Sequence, residues 1–150
     1  MTLPITATLW LTAGITGYGG DFVGQGMACG QVYTATTPPW AAVPIEWLLS
    51  GAVECGDLVH LDVNGQQLIV PVGDTGCMLH YPIWDTGVPQ GIDLPRLLFP
   101  AEDWPTMTGQ VAVWRVRDGT WWTPPSLTAW ATEYCSGPLT WDGEWVAWPN

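Results

Sequence analysis

Apolar and polar residues alternate with a period of two in several short stretches of this chain, and no long run shows apolar residues at helical spacing. Thr6 to Thr12, Leu58 to Val63, Gln67 to Val72 and Gln110 to Val116 read as strands, with Gln31 to Ala35 as a shorter one. Turn dipeptides punctuate them. Asn64-Gly65 joins two of these strands as a tight hairpin, and Asp118-Gly119 leads from another into Thr120-Trp121-Trp122. Trp141-Asp142-Gly143-Glu144-Trp145 carries a last hairpin signal near the end. Residues 14–30 and the stretch from Gly73 to Gln90 read as loops, and Thr37-Pro38-Pro39 interrupts the chain. Proline suits the first position of a helix, so Pro44 and Pro95 each open a short helical turn, Ile45 to Leu49 and Arg96 to Phe99.

Those two turns belong to an internal echo. Val43-Pro44-Ile45-Glu46-Trp47-Leu48-Leu49 is followed by Gly56 and a strand; Leu94-Pro95-Arg96-Leu97-Leu98-Phe99 is followed by Gly109 and a strand. Two similar halves of this kind suggest an all-β barrel with a pseudo-two-fold axis. Eighteen glycines and fourteen prolines, spread along 150 residues, fit many short strands and tight turns. The length is that of one ordinary domain with a core of its own.

Charge narrows the partners. The chain has no lysine; Arg96, Arg115 and Arg117 are its cations, and the formal net charge is −11. Nucleic-acid binding needs cations to meet phosphates, so no nucleic-acid partner is expected. An anionic membrane surface is disfavoured for the same reason. Residues 5–17 are mildly apolar but too short to span a bilayer, and no cation precedes them as a signal peptide requires. Neither membrane insertion nor a signal peptide is expected. Twelve tryptophans serve either core packing and subunit contacts or a flat platform for sugar rings, because an indole combines a large apolar face with one N–H donor.

The cysteines are Cys29, Cys55, Cys77 and Cys135. They form no Cys-x-x-Cys, and their spacing suits no zinc site, so no metal or other cofactor is expected. They allow three disulfide pairings, or four buried thiols. Disulfides would place the protein in an oxidising setting (extracellular, at a cell surface or in a virion) or in a hyperthermophile interior.

Candidate chemistry centres on two carboxylates. The strand Gln67 to Val72 runs into Asp74-Thr75-Gly76, and Asp93 follows nineteen positions later. Two such groups near one another form an acid/base arrangement; equally, Asp74 is turn chemistry and Asp93 a cap on the turn after Pro95. His80 lies near Asp74 in sequence, whereas His60 sits inside a strand and reads as structural. Asp-Thr-Gly recurs at Asp85-Thr86-Gly87, which brings aspartic proteases to mind. Their flanking pattern is absent, since Gly73 precedes the first copy and Cys77 follows it, and the copies are too close for two lobes.

Five pieces in order resemble the double-psi β-barrel families: Ala7-Thr8-Leu9-Trp10, Ala28-Cys29-Gly30 with Cys55-Gly56, Asp74-Thr75-Gly76, Ile92-Asp93-Leu94, and Val113-Trp114-Arg115-Val116. The nearest likeness is to the rare-lipoprotein-A, expansin and barwin-like group, with lytic transglycosylases and three-aspartate domains further off. The resemblance covers roughly residues 5–117 and implies a six-stranded double-psi barrel with short helical turns. It assigns residues 1–117 to that domain and leaves 118–150 as a Trp-rich hairpin extension packed on the barrel or on a neighbour. It implies a Cys29–Cys55 disulfide, which leaves Cys77 and Cys135 as the second pair.

By the same resemblance Asp74 is a general acid at a glycosidic oxygen, with Asp93 supporting it. Thr8, Trp10, His80, Tyr81 and Trp84 would line the sugar groove, and the partner would be peptidoglycan or another cell-wall polysaccharide. The chain departs from the pattern at Val43, where the rare-lipoprotein-A enzymes carry a histidine, and at Gly91 and Pro95. Those departures keep two further readings open: a glycan-binding module without catalysis, and a self-assembling structural subunit of an extracellular or viral assembly.

Overall fold

Val59, Leu61 and Val63 alternate with Leu58, His60 and Asp62, so a strand through them presents one apolar face. That strand is central to the architecture. A computed structural model describes residues 11–18, 24, 26–32, 34, 39–63, 65–76, 90–95, 98 and 108–123. Within them the elements run β1 (Leu11–Tyr18), β2 (Ala41–Pro44), α1 (Ile45–Leu49), β3 (Leu58–Val63), β4 (Gln66–Gly76), β5 (Gln90–Pro95), β6 (Thr108–Arg115) and β7 (Thr120–Trp122).

The sheet order is β1-β5-β2-β4-β3-β6-β7, and an additional β1–β6 pairing closes the first six strands into a barrel. Two neighbouring pairs are parallel, β1 with β5 and β2 with β4; the rest are antiparallel. Exchanging β1 with β4, β2 with β5 and β3 with β6 leaves every barrel pairing unchanged in kind. The barrel therefore has a pseudo-two-fold topology. It matches the internal echo, because β2 and β5 are the strands that end at Pro44 and Pro95.

The core fills the barrel. Ala13, Ile15, Ala41, Val43, Val59, Leu61, Val63, Val70, Val72, Ile92, Leu94, Val111 and Val113 interlock there. Burial of this set is the main favourable term for folding. Trp47 of α1 joins it, fully buried, with Trp122 of β7 edge-on at a ring-centroid distance of 5.3 Å. β7 reaches that position by pairing with Val113–Arg115 of β6, beyond the β6 residues that pair with β1. Cys29 and Cys55 are joined by a disulfide with an S–S distance of 2.02 Å. Closing a loop with a sequence separation of 26 stabilises the fold by about 3.5 kcal/mol in the chain-entropy account.

Several boundaries differ from the sequence reading, each for a pairing reason. Residues 14–18 belong to β1, because their outer side pairs with β5 and Gly14 still pairs with β6. Ala41–Pro44 is a strand with all four residues buried, so it shows no alternation to read. Gly73 to Gly76 continue β4, and Gln90 to Pro95 form β5. Within 31–35, the described residues carry only a single bridge, Gly26 to Val32, and no strand. The expected first strand before residue 11, the turn Arg96 to Phe99 apart from Leu98, and the hairpin 141–145 lie outside the described residues.

His60 is a buried titratable group, on the side of β3 opposite Val59 and Leu61. It is fully buried beneath Trp121, ring centroids 4.7 Å apart, and neither ring nitrogen has a hydrogen-bond partner. Burial pushes its pKa down to about 4. Between that value and the ordinary value of 6.5, the unfolded chain binds a proton that the folded chain does not. Stability therefore falls as pH falls through this window, by roughly 3 kcal/mol in all. Urea unfolding between pH 7 and pH 4 should show that loss, and His60→Phe should remove most of it.

Candidate functional site

The site follows from one irregularity in β4. Val72 faces the core opposite Ala41, and strict alternation would point residue 73 outward and Asp74 inward. Instead the register shifts: Ala41 pairs with Val72 and Ala42 with Asp74, which leaves Gly73 as an extra residue. Such a bulge reverses the facing of everything after it. Asp74 is thereby turned to the outer face, and Thr75 turns inward beside Val43, whose carbonyl accepts the Thr75 hydroxyl at 2.8 Å.

Glycine is required at the bulge for space. A Cβ on Gly73 would stand 2.7 Å from Trp40 Cβ and 2.9 Å from its Cγ and Cε3. The Trp40 indole packs directly against that glycine, one residue before Asp74, and is itself half-buried.

β5 has a register shift of its own, since Gly14 pairs with Gln90 and Ile15 with Ile92, which leaves Gly91 as the extra residue; beyond it Asp93 lies on the outer face between the inward residues Ile92 and Leu94. It pairs with Ala42 on one side and Thr16 on the other. The outer face thus carries one row across four strands: Thr16, Asp93, Ala42, Asp74. Strand spacing puts the two aspartate Cα atoms roughly 9.5 Å apart, with the small side chain of Ala42 between them. The row straddles the pseudo-two-fold axis, which relates Thr16 to Asp74 and Asp93 to Ala42. The chemistry breaks the symmetry that the backbone keeps.

Hydrogen bonds draw the two carboxylates apart. Asp93 Oδ1 accepts the Thr16 hydroxyl at 3.0 Å, on the side away from Ala42. Asp74 Oδ1 accepts the Ala28 backbone N–H at 2.9 Å, from a loop on the far side of β4. With Ala42 between them and each pulled outward, the aspartates do not form a proton-sharing dyad of the aspartic-protease kind. They are two separate acceptors at the ends of a short shelf.

Asp57 is an acidic residue that the sequence reading did not single out. It is 2 % exposed; Oδ2 accepts the Glu54 N–H at 2.8 Å and Oδ1 accepts the Val116 N–H at 3.0 Å. The first bond closes the 54–57 turn and the second ties it to the residue after β6, so its role is structural. The signal was present in Gly56-Asp57 ahead of a strand, but nothing in sequence names a partner as distant as Val116. Trp40 was also missed, since its contact with Gly73 exists only once the bulge forms.

Of the residues expected at the site, Asp74 and Asp93 come together on one face. Thr8, Trp10, His80, Tyr81, Trp84, Cys77 and Cys135 lie outside the described residues. Among the described residues no group of three or more His, Cys, Asp or Glu side chains is placed to hold a metal.

No family model and no curated protein matches this sequence. The shelf must therefore be read from its own chemistry. The bulge makes the sharpest local test. Gly73→Ala should destabilise the fold by about 1–3 kcal/mol through the Trp40 clash, and the same substitution should cost less in a Trp40→Gly background, which removes the Cβ that stands nearest; thermal unfolding of both single variants and the double measures it.

Proposed function

We propose that this chain is a double-psi β-barrel of the rare-lipoprotein-A, expansin and barwin-like kind, and that it acts on a cell-wall glycan across the Thr16-Asp93-Ala42-Asp74 row. Peptidoglycan is the substrate class of this reading. The observation that carries it is the outward pair of aspartates held one strand apart in exact register with Ala42. Two parallel strand pairs exchanged by a pseudo-two-fold axis in a closed six-stranded barrel are what a double-psi topology requires, which supports the fold half of the proposal.

Carboxylate oxygens separated by a shallow apolar step suit a saccharide, whose hydroxyls need acceptors and whose ring faces need flat apolar contact. Thr16 fixes one Asp93 oxygen, which orients the carboxylate for a sugar hydroxyl. Ala28 fixes Asp74 Oδ1, so Oδ2 is the oxygen directed to a ligand. In cleavage, Asp74 would deliver its proton to the glycosidic oxygen as the bond to the anomeric carbon breaks. A hydroxyl of the sugar itself would attack that carbon and give its proton to the Asp74 carboxylate, so one acid/base group suffices and no carboxylate dyad is needed. The disulfide and the glycan together fit an extracellular, cell-surface or virion setting.

Turbidity clearing and pull-down with purified peptidoglycan test the proposal. Wild-type protein should clear the suspension, and Asp74→Asn should clear it about 10²-fold or more slowly while still sedimenting with the glycan. Sedimentation without clearing by the wild type would reduce the function to glycan binding. Neither activity, together with concentration-dependent polymers, would support a structural subunit instead.

A further inference from the structure

The barrel strand that carries Asp74 loses its neighbour just before the site. β3 pairs with β4 only from Gln66 to Pro71. From Val72 onward two loops take over that edge of β4. The first donates Gly56 N–H to the Val72 carbonyl at 3.0 Å, while the Asp57 carbonyl accepts the Val72 N–H at 2.8 Å. The second donates Cys29 N–H to the Gly73 carbonyl at 3.0 Å and Ala28 N–H to Asp74 Oδ1 at 2.9 Å. Consecutive β4 carbonyls, at Val72 and at the bulge glycine, are therefore held by two different loops. The Cys29–Cys55 disulfide joins those two loops to each other.

The two loops differ in what else secures them. The 51–57 loop is tied to the barrel by the buried Asp57 carboxylate, and Arg117 pairs with Glu54 and donates to the Gly51 carbonyl. The 26–32 loop has an internal turn, with Gly30 N–H donating to the Met27 carbonyl at 3.0 Å, and one bridge between Gly26 and Val32. Among the described residues, it meets the barrel through the two hydrogen bonds at Gly73 and Asp74 and the half-buried Cys29 side chain against the core, and the disulfide ties it to the 51–57 loop. Ala28 itself is exposed, so water competes for the Asp74 bond whenever the loop lifts.

We infer that the Cys29–Cys55 disulfide positions the Asp74 carboxylate, by holding the Ala28 N–H against it, and that a dithiol reductant acting on this bond switches the glycan site off without unfolding the barrel. The functional half of this inference rests on the reading of the Asp74 row given above; the positional half does not. Cys55 is the more exposed residue of the pair and Cys29 is half-buried, so attack at Cys55 Sγ is the less hindered route. A thiolate of the dithiol attacks it, the Sγ–Sγ bond breaks, and Cys29 leaves as a thiolate that takes up a proton. The second thiol of the reductant then displaces Cys55, which also ends as a thiol. Two electrons and two protons have passed to the protein, and the reductant has become a disulfide.

Freed of its tether, the 26–32 loop exchanges its two barrel hydrogen bonds for water. The bulge remains, because Trp40 and β2 still hold it from the other side. Asp74 keeps its place on the strand but loses the donor that orients its carboxylate. Cys29 and Cys55 are thus positioning residues that act through Ala28.

Amide hydrogen exchange by NMR tests the positional half directly, on oxidised wild type, on wild type reduced with a dithiol, and on the double variant Cys29→Ser/Cys55→Ser. The double variant separates this bond from any chemistry at Cys77 and Cys135. Reduction and the double substitution should each speed exchange at Ala28 and Cys29 at least tenfold, while Val59, Leu61 and Val113 stay protected. Asp74→Asn should shift the Ala28 amide resonance in the oxidised protein and leave it unmoved once the disulfide is gone. A purely structural cross-link would leave that coupling intact.

Unchanged Ala28 exchange after reduction overturns the inference, and so does persistence of the Asp74→Asn effect. Loss of the whole barrel on reduction overturns it too, because the switch requires the barrel to survive. Turbidity clearing of peptidoglycan by the wild-type samples reads the functional half: clearing should slow at least tenfold on reduction and return on reoxidation. If oxidised protein never clears the glycan, the proposed function fails while the exchange data still decide the positional claim.

Discussion

One extra glycine in β4 decides what the outside of this barrel can do. Without the Gly73 bulge, the alternation that buries Val70 and Val72 would bury residue 74 as well, and an unpaired carboxylate would be driven into an apolar core. With it, Asp74 faces out in line with Ala42 and Asp93. The bulge is in turn held by Trp40 on one side and by the loops from Cys29 and Gly56 on the other. The close fit of Trp40 means that this geometry is specific to glycine, and that the strand, the indole and the loops form one unit.

The second constraint is symmetry. Both halves of the chain supply a strand that ends in proline and, further on, a strand that crosses the barrel. Because β2 and β5 meet at the axis, any row across them samples both halves at equivalent positions. Here the equivalent positions have diverged, with Asp93 against Ala42 and Asp74 against Thr16. The result is an asymmetric shelf on a symmetric frame: an oriented acceptor at Asp93, a small apolar step, and an acceptor at Asp74. A directional polymer such as a glycan strand has the same lack of symmetry, and that agreement underlies the proposed function.

Much of the frame was legible in sequence because it is written in local patterns. β3 and β7 fall where alternation and the turns Asn64-Gly65 and Asp118-Gly119 put them, and α1 starts after Pro44 as its proline predicts. β2 and β5 were not legible as strands. Ala41–Pro44 is buried on all sides, and Gly91 and Pro95 are poor strand formers on their own, so only pairing with two neighbours makes them extended. The carboxylates were legible as residues but not as a geometry. Their separation by Ala42, and the partners Thr16 and Ala28 that pull them apart, depend on register between strands far apart in sequence. Asp57 shows the same limit from the other side: it looks like a turn residue and acts as a buried anchor for Val116.

The account's central claim is that the outer row is where a cell-wall glycan lies. Chemical-shift mapping tests it most directly, by titrating oxidised, isotope-labelled protein with a soluble peptidoglycan fragment. The account predicts saturable perturbations at the backbone amides of Thr16, Ala42, Asp74 and Asp93, extending to Ala28 through its bond to Asp74. Perturbations confined to other parts of the barrel, or none at saturating fragment, would contradict it.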